Sequence, residues 1–484
     1  MVRHFLLDDK MRSKKKYICF FIFLALCHSI IGQKPEWSSS RYEEDFLPSK
    51  FYKENRDELR KQMPDNSMAI FFSAPIRNRS NDTDFPYHQN TQFYYLTGIT
   101  DPNSMLLIYK FPFLLGDKSS DEFLFIPYAN KKHERWLGKM TSAGEATEIS
   151  AIQNIYFTSA FDSLNLSAQS FDKILYLPLQ TGVADDKNDS CDLFNLIESW
   201  EKKVSYPPVN GDSYLLGKIL RRMREIKKPV ELTLLKKAIS ISCEGHIEMM
   251  KALHKGMTEY QVAAIGEYIF KIRGAENVGY PSICGGGENS CILHYETNRK
   301  TLKEGELLLI DMGAEYHGYS ADVTRTLPVN GKFSNEQRII YNLVLKAQDS
   351  AFAKCKPGNN FKDPHQAAVD VIKKGLLNLG IIKEEEDYND YFMHGTSHYL
   401  GLDVHDAGTR NTLSEGNVIT VEPGIYISPN SACDSKWWNI GIRIEDDVLI
   451  TKEGYENLSG SCPSKPEDIE RLMKQESIFV LPSK

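Results

Sequence analysis

The sequence predicts an α/β protein, with an N-terminal α/β domain followed by a larger domain made of two similar α/β halves. Three observations lead there. Short apolar runs of strand length alternate with longer stretches of helical periodicity. The segment Tyr206-Pro207-Pro208-Val209-Asn210-Gly211 interrupts that pattern as a linker would. Beyond it the chain repeats itself: shifting residues 294–313 (HYETNRKTLKEGELLLIDMG) by 111 onto 405–424 (HDAGTRNTLSEGNVITVEPG) gives seven identities in twenty positions. These are His294/His405, Arg299/Arg410, Thr301/Thr412, Leu302/Leu413, Glu304/Glu415, Gly305/Gly416 and Gly313/Gly424, where average residue usage gives about one or two.

The elements follow in chain order. Arg12, Lys14, Lys15 and Lys16 precede an apolar run over 17–31, and Gly32 follows it. A basic region, a short apolar core and a small residue read as a signal peptide over 1–32, directing export to a secreted or periplasmic location. An uncleaved membrane anchor is the alternative, but a spanning helix needs about 20 residues. The N-terminal domain is expected over 45–205, with strands at 68–72, 93–96, 105–109, 123–127 and 173–177 bounded by turn residues. The second domain is expected over 216–484. It opens with a helix near 214–225 and continues with two helix–Gly loop–helix units. The first runs over 231–273 and breaks at Lys255-Gly256. The second begins at a capping box, Ser334 to Gln337, breaks at Lys356-Pro357-Gly358 and resumes over 364–379. Each unit is followed by a strand pair, so the repeat spans a half-domain and the two halves close around a pseudo-two-fold axis.

A net charge of −7 and the lack of a long basic block argue against nucleic acid as the main partner. The nine cysteines include no CxxC pair. In an oxidising compartment a Cys284–Cys291 or a Cys433–Cys462 bridge is compatible with the spacing, which does not establish connectivity.

The repeat delivers acidic residues in matched pairs. Asp311 falls on Glu422, and with a longer loop in the second copy GYSAD (318–322) falls on GIRIE (441–445), so Asp322 meets Glu445. Four carboxylates converging on one spot repel each other unless cations lie between them. Asp311 and Asp322 flank a hairpin at an odd separation of eleven, so a turn or bulge must set the register that brings both to one face. Glu422 in VITVEPGIY and Glu445 in IGIRIEDDV lie inside apolar runs, where an unpaired carboxylate costs several kcal/mol. For Glu445 an ion pair with Arg443 is the purely structural alternative. His394, His398 and His405 lie within twelve residues of one another in MHGTSHYLGLDVHD. Position 398 falls on Gly287 in the first copy, so His398 breaks the symmetry and supplies the one nitrogen ligand; His294 and His405 are repeat-related and flank the site. Four carboxylates and an imidazole, with no thiolate, favour Mn²⁺, with Co²⁺ or Zn²⁺ able to substitute. They suit two divalent ions roughly 3.5–4 Å apart.

The strings ENSCILHYETN, IDMGAEYHGYSADVTRT, MHGTSHYLGLDVHD, TVEPGIYI and NIGIRIEDD resemble those of the Xaa-Pro aminopeptidases (aminopeptidase P) of the pita-bread metallopeptidase family. YHQNTQFYYLTGITDPNSMLLI resembles that family's first domain, so the resemblance covers nearly everything after about residue 45. It implies a pita-bread catalytic domain with Asp311, Asp322, His398, Glu422 and Glu445 as metal ligands. His294, His394, His405 and Arg443 match positions that contact substrate or support the site. The implied activity is release of the first residue from peptides with proline second, by attack of a hydroxide held between two metal ions. In that scheme Glu422 carries the proton, His405 stabilises the oxyanion and His294 lies near the scissile bond. Proline preference comes only from the resemblance. The expected partners are such peptides and further copies of the chain, as a dimer or tetramer. A prolidase restricted to Xaa-Pro dipeptides is the nearest alternative. Methionine aminopeptidase, usually without the first domain, comes next, then a non-catalytic pita-bread module that binds peptides.

Overall fold

The computed structural model describes residues 43–479 apart from 129, 130 and 188, so the expected signal segment 1–32 lies outside the described residues. Helix α1, Ser49–Gln62, buries Phe51, Tyr52, Asn55, Arg56 and Leu59 along one stripe. It covers a sheet built from β1 (Ser67–Phe72), β2 (Met105–Leu115), β3 (Lys118–Ile126), β4 (Ile155–Phe157), β5 (Lys173–Leu175) and β6 (Gly211–Asp212). The sheet order is β4-β3-β2-β1-β5-β6. β1 pairs antiparallel with β2 and parallel with β5, which explains why its residues Ser67–Phe71 are buried from both sides. The end of the linker stretch, Gly211–Asp212, joins this sheet beside β5.

One expected strand is a helix. Phe93, Tyr94, Tyr95 and Leu96 lie in α2, Thr91–Thr97. Aromatic residues favour strands, but the ends of this segment decide otherwise. The Asn90 side chain accepts from the backbone N–H groups of Gln92 and Phe93, and Gly98 closes the helix in the left-handed region at φ 69°. A side chain at Gly98 would also run into the Tyr52 ring, 2.4 Å from where its Cβ would stand.

The second unit has the expected two-fold character. Helix α3 (Ser213–Arg224) leads into α4 (Pro229–Ala252) and α5 (Glu259–Ile272), and the second copy supplies α6 (Asn335–Phe352) and α7 (Asp363–Asn378). The Ser334–Gln337 capping box is present at the start of α6. In the first half, β7 (Ile283–Gly286), β8 (Leu307–Asp311) and β11 (Thr324–Pro328) form one antiparallel sheet, while β9 (Ala314–Tyr316) pairs with β10 (Tyr319–Ser320) in another. In the second half, β12 (Val418–Val421) pairs with β15 (Asp446–Ile450), and β13 (Gly424–Ile427) with β14 (Ile440–Arg443). Each half thus splits its hairpin at the same place, after Asp311 and after Val421. Isolated bridges Thr258 to Thr301 and Asn360 to Thr412 share one end, Thr301 and Thr412, that the repeat aligns. One further bridge, Thr324 to Glu445, ties the halves together at the centre.

Among the described residues all seven cysteines are free thiols. Cys462 lies against Cys243 rather than Cys433, so neither pairing compatible with the spacing is formed.

Candidate metal centre

The break in the first hairpin sets the register that the odd spacing requires. Asp311 ends β8 opposite Thr324, while Met312 N–H donates to Val323 O and Ala321 N–H to Ala314 O. The strand bends between them, and Asp322 is turned to the same side as Asp311. Gly313 is obligatory there, because a Cβ would stand 1.7 Å from the Ala321 carbonyl oxygen. The Tyr280 hydroxyl bridges the two aspartates, bonding to Oδ1 of each.

From the second half, Glu422 follows β12 and Glu445 precedes β15. His398 lies beside both halves: its Nε2 is 3.3 Å from Asp322 Oδ2 and 3.5 Å from Glu422 Oε1. His398 Nδ1 is 3.0 Å from the Tyr399 carbonyl oxygen, a contact that commits this nitrogen as the donor and leaves Nε2 facing the carboxylates. Asp322, His398 and Glu445 each offer a ligand atom within 4.8 Å of one another, and all three are buried. Asp311 and Glu422 extend the cluster on either side, so all five expected ligands meet.

The electrostatics fit a cation. Burial, then the charge of Asp311, raises the Asp322 carboxyl above its ordinary range. Burial with Asp322, Glu422 and Asp311 raises Glu445 much further. Burial lifts Glu422 to about 7, with His398 opposing and Asp322 assisting. Burial also disfavours a charged His398, but Asp322 and Glu422 outweigh it and hold the imidazole protonated up to about 9. Asp311 runs the other way: burial raises it, yet the guanidinium of Arg443 and the hydroxyl of Tyr280 keep it below the usual carboxylate range. Four carboxylates, three of them buried and Glu422 partly exposed to the cleft, thus face two cationic side chains, Arg443 and His398. Divalent metal ions would supply the missing positive charge, and an oxygen-rich set with one imidazole suits them.

Arg443 does not form the ion pair with Glu445 that was the purely structural alternative; it supports Asp311 instead. Its Nη2 donates to Asp311 Oδ2 at 2.5 Å, its Nη1 to the Tyr426 hydroxyl at 2.8 Å and its Nε to Thr324 Oγ1 at 3.2 Å. The arginine reaches across the pseudo-two-fold axis because β14 lies beside the first half's β11. Glu445 is held instead by the Thr324 hydroxyl, which donates to Oε2 at 2.5 Å. Each half therefore supplies a support for a carboxylate of the other.

The remaining histidines line a cleft of about 450 Å³ above the cluster. His394 Nε2 is 2.8 Å from the Tyr426 hydroxyl, and burial with Arg443 holds its pKa down to about 3. The His405 ring meets the His398 ring edge-on at 4.3 Å, and burial with the charge of His398 lowers its pKa. His294 lies on the opposite wall of the same cleft, with Ile283, Leu293 and Val404 giving it apolar surface.

Two groups of the site escaped the sequence reading. The Tyr280 hydroxyl donates to both Asp311 and Asp322, reaching the latter's Oδ1 at 2.5 Å. Thr324 bridges Arg443 and Glu445. A tyrosine and a strand threonine carry no metal-site signature. The repeat offers a partial signal, since the 111-residue shift places Tyr280 on Tyr391.

Comparison with known proteins places these features in a family. Residues 233–452 match the model of metallopeptidase family M24, and residues 52–174 match that of the aminopeptidase P N-terminal domain. The Xaa-Pro aminopeptidase of Escherichia coli is 35% identical over 435 residues, covering 87% of this chain and 97% of that protein. The mitochondrial intermediate cleaving peptidase 55 of Arabidopsis thaliana is 33% identical over 431 residues, covering 86% and 81%. A solved structure of a variant E. coli aminopeptidase P in complex with substrate superimposes with a TM-score of 0.79 at 33% identity, covering 88% of this chain and 98% of that one.

Proposed function

Because the chain belongs to the aminopeptidase P family of M24 metallopeptidases, we propose that it is a Xaa-Pro aminopeptidase, removing the first residue from peptides with proline at the second position. The observation that carries this reading is the cluster of buried Asp322, His398 and Glu445, flanked by Asp311 and Glu422, in a cleft also lined by His294 and His405. Asp311, Asp322, His398, Glu422 and Glu445 would hold two divalent ions, most fittingly Mn²⁺, with Co²⁺ or Zn²⁺ competent. When bound, such ions activate water at neutral pH and polarise the scissile carbonyl.

The residues of the chain do the rest. Glu422, with its carboxyl facing the cleft, takes a proton from the attacking water and delivers it to the departing proline nitrogen. His405, held neutral by its surroundings, donates a hydrogen bond to the carbonyl oxygen as charge develops there. His294 contacts the peptide beside the scissile bond. Arg443 fixes the orientation of Asp311, and His394 with Tyr426 supports that arginine from behind.

The test is mass spectrometry of products after incubating the Mn²⁺-loaded protein with Arg-Pro-Pro, Arg-Pro and Met-Ala-Ser together, beside Asp322→Ala. Arginine released from the tripeptide, and lost in the variant, supports the proposal. Cleavage of Arg-Pro alone makes the protein a prolidase, loss of Met alone a methionine aminopeptidase, and metal binding without any cleavage turns attention to a peptide-binding role. Because a relative named intermediate cleaving peptidase 55 is nearly as similar, a twenty-residue peptide lacking proline in the same mixture tests for activity outside Xaa-Pro substrates.

Two sequence expectations join the proposal. Residues 1–32 direct export, which N-terminal sequencing of the protein isolated from its host checks. The active form is a homo-oligomer, dimer or tetramer, which light scattering measures.

A further inference from the structure

His405 lies in an irregular stretch between Tyr399 and β12, with no helix or strand of its own. Its placement depends on its neighbours. Asp403 precedes it by two residues and Asp406 follows it directly, and one arginine holds both. Arg224, the last residue of α3, donates through Nη2 to Asp403 Oδ2 at 2.8 Å and to Asp406 Oδ1. Lys227 Nζ takes the other oxygen of Asp406 at 2.7 Å, and Lys227 N–H donates to Gly416 O at 2.8 Å. The side chains of Arg224, Lys227 and Asp406 are each only 1% exposed, so solvent does not compete for the bonds to Asp406, while the Asp403 side chain is 43% exposed. The packing admits no slack: a Cβ on Gly401 would stand 2.2 Å from Asp406 Oδ2 and 2.7 Å from Lys227 Cε.

The remaining arm of the arginine points to the other domain. Arg224 Nη1 donates to Thr91 Oγ1 at 3.0 Å, and that hydroxyl donates onward to Asp403 Oδ2 at 3.0 Å. Thr91 is the first residue of α2 in the N-terminal domain. A closed ring of Thr91, Arg224 and Asp403 therefore joins that domain to the stretch carrying His405, and a guanidinium fork suits it because three acceptors must be met at fixed angles.

We propose that Arg224 and Thr91 are positioning residues for His405, so that the N-terminal domain sets the geometry of the peptidase site through this ring. This rests on the reading of His405 as a group that touches the reacting carbonyl. Misplacement of such a group by about 1 Å costs up to roughly 10²-fold in turnover. Arg224→Lys keeps the charge but cannot span three acceptors, and Thr91→Val keeps the shape without the hydroxyl.

The experiment measures kcat and KM on Arg-Pro-Pro for the full-length, Mn²⁺-loaded protein and four variants: Arg224→Lys, Thr91→Val, Thr91→Ser and His405→Ala. The first two are also combined with His405→Ala. The proposal expects kcat to fall about 10- to 100-fold in Arg224→Lys and by a smaller factor in Thr91→Val. KM should stay within about threefold, and Thr91→Ser should restore the rate. On the His405→Ala background neither substitution should cost anything further. Full additivity on that background, or unaltered kcat in both single variants, overturns the proposal. A kcat unaltered in His405→Ala itself overturns instead the role given to His405. A readout without turnover accompanies these: the rate at which diethyl pyrocarbonate modifies His405 relative to His294, followed by peptide mass spectrometry. The ratio should change in Arg224→Lys and Thr91→Val and return in Thr91→Ser, and a constant ratio overturns the proposal even where no peptide is cleaved.

Discussion

The two halves of the catalytic unit share a plan but contribute differently to its centre. The first half gives short carboxylates, Asp311 and Asp322, gripped by Tyr280 and by Arg443 from across the axis. The second gives the longer Glu422 and Glu445 and adds the imidazole of His398. At the position equivalent to His398 the first half has Gly287, at φ +58° in a short turn where any Cβ would meet Lys300 Nζ at 2.6 Å. A duplicated scaffold thus supplies carboxylates twice, while what distinguishes one side of the site from the other comes from single departures from the repeat. Substrate is itself asymmetric, so a symmetric centre could not tell the attacking side from the leaving side.

The largest test of that comparison removes one carboxylate from each half. Asp322→Ala and Glu445→Ala should each abolish peptide cleavage and each lower bound metal, measured by plasma mass spectrometry on desalted protein. If only one substitution did so, the halves would not share a centre. Next comes the cross-axis tie. Arg443→Ala leaves Asp311 buried without its cation, and breaking a buried pair in this way costs about 3–5 kcal/mol. Urea unfolding of chelator-treated protein should register that loss. With metal restored the loss should shrink, because the ion then neutralises Asp311 in place of the arginine.

The chemistry of the centre was more legible in the sequence than its supports. Asp311, Asp322, Glu422 and Glu445 stand out because an unpaired carboxylate in or beside an apolar strand is costly, and the repeat places them in matched pairs. His398 stands out for the opposite reason, as a departure from the repeat. For Arg443 the sequence leaves two readings, an ion pair with its near neighbour Glu445 or a support of the site, and the structure pairs it with Asp311. Sequence proximity is a poor guide to partners across a pseudo-two-fold axis, where contacts join residues more than a hundred positions apart. Phe93–Leu96 reads as a strand because it is a short apolar run between turn residues, while the information lies in what those ends do, in Asn90 and Gly98. Tyr280 and Thr324 were missed because a hydroxyl in a strand becomes a site residue only through what lies opposite it.

The tyrosines that the repeat aligns give a sharper and smaller test. Tyr280→Phe keeps the ring and deletes a hydroxyl shared by two expected ligands, and losing such support typically costs about 10–100-fold in metal affinity or activity. Tyr391→Phe deletes a hydroxyl that lies 3.5 Å from the Ile381 carbonyl and against the Cys433 thiol, with no carboxylate of the centre among these partners. Activity should be nearly unchanged there, and a thermal scan should show at most about 1 kcal/mol. Equal effects from both substitutions would mean that the halves support the centre alike.

The smallest effect lies at the outer turn of the first half. The β9–β10 turn carries His317 at a left-handed φ of 47°, where the second half has a longer excursion over 428–439. His317 Nδ1 is 2.7 Å from Glu276 Oε1 and its Nε2 is 2.8 Å from Asp45 Oδ1, with the Phe46 ring stacked at 4.0 Å. Two carboxylate acceptors require both ring nitrogens to carry protons. Burial opposes the charge, but Glu276 and Asp45 outweigh it and raise the histidine above its ordinary 6.5. A folded-state value raised in this way gives stability that is fully present below the ordinary pKa and is lost as pH rises through the raised one. The segment around Asp45 should therefore resist limited proteolysis best near pH 6 and progressively less towards pH 9, and His317→Gln should remove that dependence while leaving peptide cleavage in place. Asp45 and Glu276 are both well exposed, so the change should be confined to this segment and leave the midpoint of global unfolding nearly where it was. A global midpoint that followed His317 would instead make the turn part of the structure that both halves depend on.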